Sequence, residues 1–345
     1  MTSPPSGRRV VVVAVLIMVA LVVAVMLGLV IGPVSIAATR ILGDAFSHLG
    51  IGHSTLTSTQ SSIVWQLRAP RMVLGLLAGS MLAVAGGTYQ GVFRNPLADP
   101  YLLGVAAGAG LGATLAIVDV ANAATVPTWT PLLAFVGAML AVTLTWVIGG
   151  RSMRSTAATL VLAGVAVSAL FTSAQTFLQQ RSSVQSIANV YIWLLGSLAN
   201  ASWHSVLVVL PYVVVCALVC VLAGRALDVM SVGDDEARSL GLSVRSVRLV
   251  VVVASSLGTA AVVSVVGLIG FVGIIVPHIV RLLVGTSYRR ILPLSVLFGA
   301  AFLVLADTVA RTVMAPSELP LGVVTAVIGA PVFVVILSVR RMGHS

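Results

Sequence analysis

The segment YQGVFRNPLADPYLLGVAAGAGLG, from Tyr89 to Gly112, decides the fold because it joins two apolar stretches through a rigid corner. Asn95-Pro96 and Asp99-Pro100 interrupt a helix twice, since a residue before proline is pushed out of the α region. Beyond the corner, glycine recurs at every fourth position, at Gly104, Gly108 and Gly112. We therefore predict that one helix ends at this corner and that the next packs closely against a neighbouring backbone.

The composition is that of a membrane protein. Of the 345 residues, 59% are hydrophobic and 8% are charged, whereas a soluble domain carries roughly 25% charged residues. The chain has too little polar surface to meet water, so its bulk is expected in a bilayer. We attribute the net charge of +10 to arginines on the inner membrane face, and we predict no nucleic-acid partner.

Apolar segments near the length of about 20 residues that a bilayer requires recur along the chain. They predict an all-α integral membrane protein with about ten transmembrane helices, forming one transmembrane domain over residues 1–345. The eighth segment is short and contains Pro277, so we expect protein to cover it. The predicted spans are Val10–Ile31, Met72–Phe93, Tyr101–Val118, Pro131–Ile148, Ala157–Leu178, Val206–Ala223, Leu249–Leu268, Val272–Val284, Ile291–Ala310 and Leu321–Val339.

The positions of the arginines orient these spans. Both termini carry an arginine pair, Arg8-Arg9 and Arg340-Arg341, and most of the 19 basic residues fall in segments on the same side. By the positive-inside rule this side is the cytoplasm. We therefore predict a multi-pass protein of the cell membrane with both termini cytoplasmic.

Three connecting segments are long. The outer segment 32–67 is polar and predicts no strong element, whereas the outer segment 179–204 predicts a small interfacial helix with aromatic anchors. The inner loop 224–248 predicts a short helix. It is expected to begin at Ser231 and Asp234, to be supported by an Asp234–Arg238 ion pair and to end at Gly241. Its balanced charges favour docking to a protein over binding to lipid; a solvated connecting loop is the alternative.

Five motifs of the chain resemble those of a known family. They are LRAPR at Leu67–Arg71, FRNPLADPYLLGV at Phe93–Val105, GDDEARSLGL at Gly233–Leu242, GLIGFVGIIVPHIVRLL at Gly267–Leu283 and ELPLGVVTAVIGAPVF at Glu318–Phe333. In these motifs and in their order, the chain is similar to the FecCD/BtuC type of permease, the membrane half of ABC importers for iron chelates, haem and cobalamin.

The resemblance implies a BtuC-like type II importer fold. Its expected partners are a second copy of this chain, two ATP-binding subunits, an extracytoplasmic substrate-binding protein and membrane lipid. In the family the segment from Gly233 to Leu242 is the coupling helix that docks on the ATPase. The coupling residues implied here are Gly233, Asp235, Glu236, Arg238, Leu240 and Gly241.

Nucleotide chemistry is assigned to the partner. The sequence has no G-x-x-x-x-G-K-[ST] loop and no lysine, so ATP and Mg²⁺ are expected on a separate ATPase subunit. We predict no enzyme activity, no metal site and no bound cofactor for this chain. Cys216 and Cys220 are predicted to be buried free thiols.

The resemblance also assigns residues at both mouths of the pathway. Arg68, Arg71 and Arg311 match arginines that dock the binding protein; the alternatives are interfacial snorkelling for the first two and a pair with Asp307 for Arg311. Asn95 and Leu97 resemble the cytoplasmic gate, with simple capping of the next helix as the alternative.

The scarcity of ionisable residues inside the spans argues for energy supplied from outside the membrane domain. It disfavours a secondary transporter or channel acting alone, and no cluster of reactive side chains supports a membrane-embedded enzyme. The motifs do not distinguish ferric siderophore, haem and cobalamin. We favour an iron-siderophore complex, because iron permeases make up the larger share of the family that the chain resembles.

Overall fold

A computed structural model of the chain describes residues 7–32, 34–48, 50, 53–120, 126–150 and 157–342, and the regular elements in these ranges are helices. They are α1 Gly7–Val30, α2 Ala38–His48, α3 Ser58–Ser62, α4 Ala69–Phe93, α5 Val105–Leu115, α6 Val126–Gly149, α7 Ala157–Gln180, α8 Val184–Leu194, α9 Trp203–Leu222, α10 Gly224–Met230, α11 Asp234–Ser239, α12 Val244–Val266, α13 Val272–Val284, α14 Tyr288–Ala310 and α15 Leu321–Met342.

Seven helices of the described part are long and apolar enough to cross a bilayer. Three further apolar helices, Val105–Val120, Val272–Val284 and Leu321–Val334, are shorter. Each predicted span therefore coincides with a helix, whereas the prediction of about ten crossings is not established by their lengths. The side chains of Arg340 and Arg341, on which the predicted orientation partly depends, lie outside the described residues.

Helix α4 lies at the centre of the bundle. In its most apolar stretch 72% of the residues are buried, against 17% for α1, so α4 faces protein and α1 leaves most of its surface for lipid. Its glycines allow neighbours to approach to backbone contact: a Cβ on Gly79 would overlap the carbonyl of Gly299, and one on Gly86 would overlap the backbone of Gly273. Helices α13 and α14 thus pack directly against α4.

The glycine stripe after the corner packs as predicted. A Cβ on Gly108 would overlap the carbonyl of Gly137, and a Cβ on Gly112 would overlap the carbonyl of Leu133. Both carbonyls belong to α6, so α5 and α6 are in backbone contact. Gly104 precedes α5 with a φ of +86°, a conformation that glycine adopts without steric cost.

The helix that leads into the corner is longer than the sequence predicts. It runs without a break from Ser58 to Phe93, whereas the predicted span starts at Met72. A π-helical turn over Ile63–Arg68 precedes Pro70, and Ala69 donates to the carbonyl of Val64. The wider turn accommodates a proline, which cannot donate a helical hydrogen bond.

The outer segment 32–67 is also more ordered than predicted. It contains α2, and the carboxylate of Asp44 on this helix is 2% exposed. Asp44 accepts hydrogen bonds from Trp65 Nε1, at 2.5 Å, and from the hydroxyl of Ser54. The prediction of no strong element was wrong. Asp44 lies 10 residues from Ser54 and 21 residues from Trp65 along the chain, so no local periodicity of the sequence indicates these hydrogen bonds.

Where helices are interrupted at the corner and at Pro277, side chains form hydrogen bonds with the backbone groups that lack a helical partner. The corner contains a 3₁₀ turn, Pro100–Leu103, and Asp99 caps it by accepting from the backbone N–H of Tyr101 at 2.8 Å. Inside α13, Pro277 cannot donate to Gly273, whose carbonyl accepts instead from Gln90 Nε2 at 3.3 Å. The other long outer segment, 179–204, contains a small helix, α8, over Val184–Leu194, whereas the stretch in which we predict it is Tyr191–Trp203.

The α5–α6 contact gives a first prediction. Gly112→Ala should lower thermal stability in detergent, because the new methyl group meets a backbone carbonyl of α6 that cannot move aside; overpacking costs about 1–3 kcal/mol. The matched control is Gly110→Ala on the same helix, where the methyl group meets mainly the end of the Gln175 side chain. Equal melting temperatures for the two variants would contradict the proposed packing.

Candidate functional site

Helix α11 is a short element with a well-defined end. At its C-terminus Gly241 has a φ of +83°; Gly241 N donates to the carbonyl of Arg238 and Leu242 N to that of Ala237. This pair of bonds is a Schellman motif, so Gly241 ends the helix as predicted. Ala237 is fully buried and anchors the helix to the core.

The start of α11 differs from the prediction. Gly233 precedes the helix, and no side chain caps its first turn. The hydroxyl of Ser231 donates to the carbonyl of Asp228 at 2.6 Å, so Ser231 does not begin the helix. The acidic residues of the first turn, Asp234, Asp235 and Glu236, are favoured there by the helix dipole.

The ion pairs of α11 also differ. Arg238 pairs with Asp235 at 2.5 Å, and the predicted Asp234–Arg238 pair was wrong. Asp234 instead accepts from Arg248 of α12 at 2.8 Å and lies 3.4 Å from Arg94. The physical reason is burial: the Arg248 side chain is 8% exposed, and an unpaired buried cation costs far more free energy than a lost surface pair.

Asp234 is an anion at neutral pH. Burial alone would raise the pKa of its carboxyl, but the hydrogen bond and charge of Arg248, with the charge of Arg94, bring that pKa below its usual value. Asp234 lies in the first turn of α11, which we call the base of this helix, and it pairs the base electrostatically with Arg248 of α12.

The opposite face of α11 is free of the rest of the chain. The side chains of Asp235 and Arg238 are 92% and 59% exposed, and Leu240 is 72% exposed. Glu236 is exposed as well, and its carboxylate folds back against Gly233, where a Cβ would overlap it. These residues form one continuous surface of mixed charge with an apolar edge, which we call the α11 face.

The predicted gate residues lie at the same end of the bundle. Arg94 ends α4 and pairs with Asp234 at the base of α11; Asn95 follows it directly. Asn95 accepts from the backbone N–H of Leu97 at 2.9 Å, and Leu97 is 41% exposed. This bond closes a turn within the corner, whereas the next helical turn is capped by Asp99 and not by Asn95. A gating role for Asn95 and Leu97 stays a prediction.

The predicted docking arginines lie at the other end of α4, and Arg68 is buried. It is 5% exposed, and its Nη1 donates to the carbonyls of Leu29 and Val30 at 2.7 and 2.9 Å. These carbonyls belong to the last turn of α1, which has no helical partners for them. A cap on α1, which is neither snorkelling nor docking, accounts for the position of Arg68.

Arg71 is the centre of an ion-pair network. Its guanidinium donates to both oxygens of Asp307, at 2.8–3.1 Å, and to both oxygens of Glu318, at 2.8 and 2.9 Å. Asp307 is buried, whereas the Glu318 side chain is 36% exposed. Sequence reasoning missed Glu318 as a partner, because it lies 247 residues away along the chain.

Arg311 is 6% exposed and completes this end. Its Nη2 donates to the carbonyl of Gly28 at 2.5 Å, again in the last turn of α1. Its Nε lies 3.8 Å from Asp307, so the alternative pair with Asp307 is present as a long contact. The donors of Arg68 and Arg311 are thus directed into the protein, and only the Arg71 network reaches the surface, through Glu318.

A cavity of about 470 Å³ opens between α6, α9 and α12. Phe135, His204, Tyr212 and Ser264 are among its lining residues, and none of the predicted site residues contributes to it. Within the described residues, no group of three or more His, Cys, Asp or Glu side chains is placed to bind a metal ion. Cys216 and Cys220 are buried free thiols, as predicted.

In the described part of the chain, seven helices of membrane length, α4 among them, and a short charged helix at one end of the bundle define a multi-pass membrane protein. A sequence model described as the FecCD transport family matches residues 20–339. The chain therefore belongs to the FecCD family of ABC transporter permeases, which are transport subunits and not catalytic ones.

Curated relatives match over most of their length. The chain is 38% identical to the ABC transporter permease YvrB of Bacillus subtilis, over 94% of this chain and 92% of that protein. It is 42% identical to the cobalamin import permease BtuC of Halobacterium salinarum, over 82% and 75%. It is 35% identical to the hemin transport permease HmuU of Yersinia pestis, over 88% and 93%.

A solved structure shares the fold. A metal-chelate type ABC transporter in an inward-facing conformation superposes with a TM-score of 0.80 at 30% identity, covering 94% of this chain and 98% of that one. The fold is thus that of a metal-chelate ABC transporter permease, in agreement with the predicted all-α importer fold.

The contacts of Arg68 give a second prediction. Arg68→Gln should lower the melting temperature in detergent, because carbonyls at the end of α1 lose their partner; each unsatisfied buried group costs about 1–3 kcal/mol. Arg40→Gln, which removes an exposed arginine of α2, is the control and should melt like the parent. A stable Arg68→Gln protein that binds its substrate-binding protein weakly would instead support the docking role.

Proposed function

We propose that this chain is the permease subunit of an ATP-driven importer that passes a bulky metal chelate from a binding protein to the cytoplasm. Two copies form the pathway, and two ATP-binding subunits bind beneath them and hydrolyse ATP with Mg²⁺. Residues 1–345 act as one transmembrane permease domain embedded in membrane lipid. Both termini lie in the cytoplasm, on the side of the α11 face.

The observation that carries this proposal is the α11 face. A six-residue helix with an ordered end and a buried base exposes charges of both signs beside Leu240. Such a surface suits a protein partner, because mixed charges fix register and an apolar edge adds burial. A lipid-binding surface would be one-sidedly basic.

We assign ATPase coupling to the α11 face and its two glycines. Glu236 and Asp235 offer acceptors, Arg238 offers donors and Leu240 offers an apolar contact. Gly233 leaves room for the Glu236 carboxylate, and Gly241 provides the left-handed residue that ends the helix.

Residues at the two mouths of the pathway are assigned different roles, a gate at the cytoplasmic mouth and docking of the binding protein at the outer mouth. At the cytoplasmic mouth, Asn95 and Leu97 are proposed as the gate because they are exposed beside the base of α11. At the outer mouth, Arg71 is the best docking candidate of the three arginines, since its network ends at the surface. Arg68 and Arg311 support docking only indirectly, by fixing α1 beside α4.

The membrane interior is consistent with energy supplied from outside. Asp307, the acid predicted within a span, is engaged by Arg71. Both oxygens of this carboxylate accept hydrogen bonds from the Arg71 guanidinium, so it is part of a structural ion pair and does not face a pathway by itself. This favours the ATP-driven mechanism over a secondary transporter, which usually needs titratable groups facing the interior.

Coupling through the α11 face is tested by Glu236→Arg. Reversal of this charge should abolish stimulation of the partner ATPase in proteoliposomes while the chain still inserts and melts normally. The control is Arg289→Glu, a reversal at an exposed residue in the first turn of α14, which should keep the stimulation. Unaffected transport by Glu236→Arg would exclude the assignment, and transport without any ATPase would favour a secondary transporter.

The substrate is proposed to be an iron-siderophore complex, with cobalamin and haem as alternatives within the same family. The relatives named for cobalamin and hemin import keep both alternatives open. Uptake of a ferric siderophore, haem or cobalamin by the complete importer, each delivered by the cognate binding protein, separates them. We expect accumulation of the siderophore complex alone; uptake of cobalamin or haem would replace this assignment.

A further inference from the structure

The carboxylate of Asp234 is divided between two helices. Its Oδ2 accepts from Arg248 Nη2 of α12 at 2.8 Å, within hydrogen-bond distance. Its Oδ1 faces Arg94 Nη2 at 3.4 Å, an ion pair without a hydrogen bond. One side chain at the base of α11 therefore contacts both α12 and the end of α4.

The two contacts are unequal. The Arg248 side chain is 8% exposed, whereas that of Arg94 is 42% exposed. Breaking the first pair would leave a buried cation without its partner, which is strongly destabilising. An exposed pair contributes little stability, so Arg248 is the fixed partner and Arg94 is the one that can be exchanged.

Asp234 Oδ1 is not satisfied in this conformation. It is shielded from solvent, and no donor in the described part of the chain makes a hydrogen bond to it. Buried acceptors are normally paired because an unmade hydrogen bond carries the full desolvation cost. A small displacement of Arg94 towards α11 would bring its guanidinium within hydrogen-bond distance and satisfy Oδ1.

The backbone of Arg94, at the end of α4, is strained. Its φ is +50°, a left-handed conformation that residues other than glycine rarely adopt. Arg94 N donates to the carbonyl of Gly91 at 3.4 Å, and Asn95 N donates to that of Gln90 at 3.2 Å. This is the same pair of bonds that ends α11, but with an arginine in the left-handed position. A strained residue thus lies where α4 passes into the Asn95–Leu97 corner.

We propose that Asp234 is a positioning residue that joins the ATPase-docking helix to the cytoplasmic gate. Arg248 fixes Asp234 to α12, and movement of α11 makes or releases the contact of Asp234 with Arg94. Because Asn95 follows Arg94 directly, this exchange moves the gate corner. The inference rests on the proposed function, since it requires that an ATPase moves α11.

The matched variants act on the contact and spare the α11 face. Arg94→Asn removes the cation and keeps a residue type that tolerates the left-handed conformation. Arg94→Lys keeps the charge. Arg289→Gln removes an exposed cation of α14 and is the control. Asp234→Asn removes the charge of the other residue in the contact. If this variant does not fold, because it leaves the buried Arg248 unpaired, the variants of the exposed Arg94 still test the proposal.

The measurement is the amount of substrate transported per ATP hydrolysed by the complete importer in proteoliposomes. We expect Arg94→Asn to keep ATPase binding and hydrolysis while transport per ATP falls about fivefold or more, the lower end of allosteric coupling. Arg94→Lys should restore most of it, and Arg289→Gln should match the parent. Arg94→Asn combined with Asp234→Asn should be no worse than Asp234→Asn alone, because Asp234→Asn already removes the contact with Arg94.

Two kinds of failure are distinguishable. If the parent chain binds no ATPase subunit, the proposed function itself is wrong. If the parent complex is active and Arg94→Asn keeps the parental transport per ATP, only the role of Asp234 is overturned. An additive loss in the double variant would likewise show that Arg94 and Asp234 act separately.

Discussion

The structure depends on one constraint, namely that a backbone surrounded by lipid must satisfy its polar groups within the protein. Regular helices do this alone, but this chain interrupts its helices in several places. At two of these interruptions a side chain supplies the missing bond: Gln90 donates to Gly273 inside α13, and Tyr101 bonds to both backbone polar groups of Ile269 before α13. The broken segments are therefore stable only where α4 and the corner cover them.

The same constraint accounts for the arginines at the far end of α4. The last turn of α1 presents carbonyls that no helical N–H reaches, and Arg68 and Arg311 donate to them. A guanidinium suits this position because its several donors can serve adjacent carbonyls at once. The guanidinium groups of Arg68 and Arg311, for which the resemblance predicts docking, thus attach α1 to the bundle in this structure.

Helix α4 connects the two ends of the protein. Near one end Arg71 joins it to α14 through Asp307, and at the other Arg94 joins it to α11 and α12 through Asp234. Between them, glycine contacts place its backbone against α13 and α14. A helix packed in this way moves as a rigid body, since close-packed interiors transmit displacement with little deformation. In the proposed mechanism, α4 is the element through which a movement at the α11 face reaches the other end of the bundle.

The sequence by itself determined the all-helical class, the positions of most of the long apolar helices, the close α5–α6 contact and the end of α11 at Gly241. These features follow from local chemistry: apolar runs of bilayer length, glycine at every fourth position and the left-handed preference of glycine. Only the tertiary structure decided that Asp234 pairs with Arg248, that Arg71 pairs with Glu318 and that Arg68 is buried against α1. Partners many residues apart along the chain are selected by burial and desolvation, which no local pattern of the sequence records.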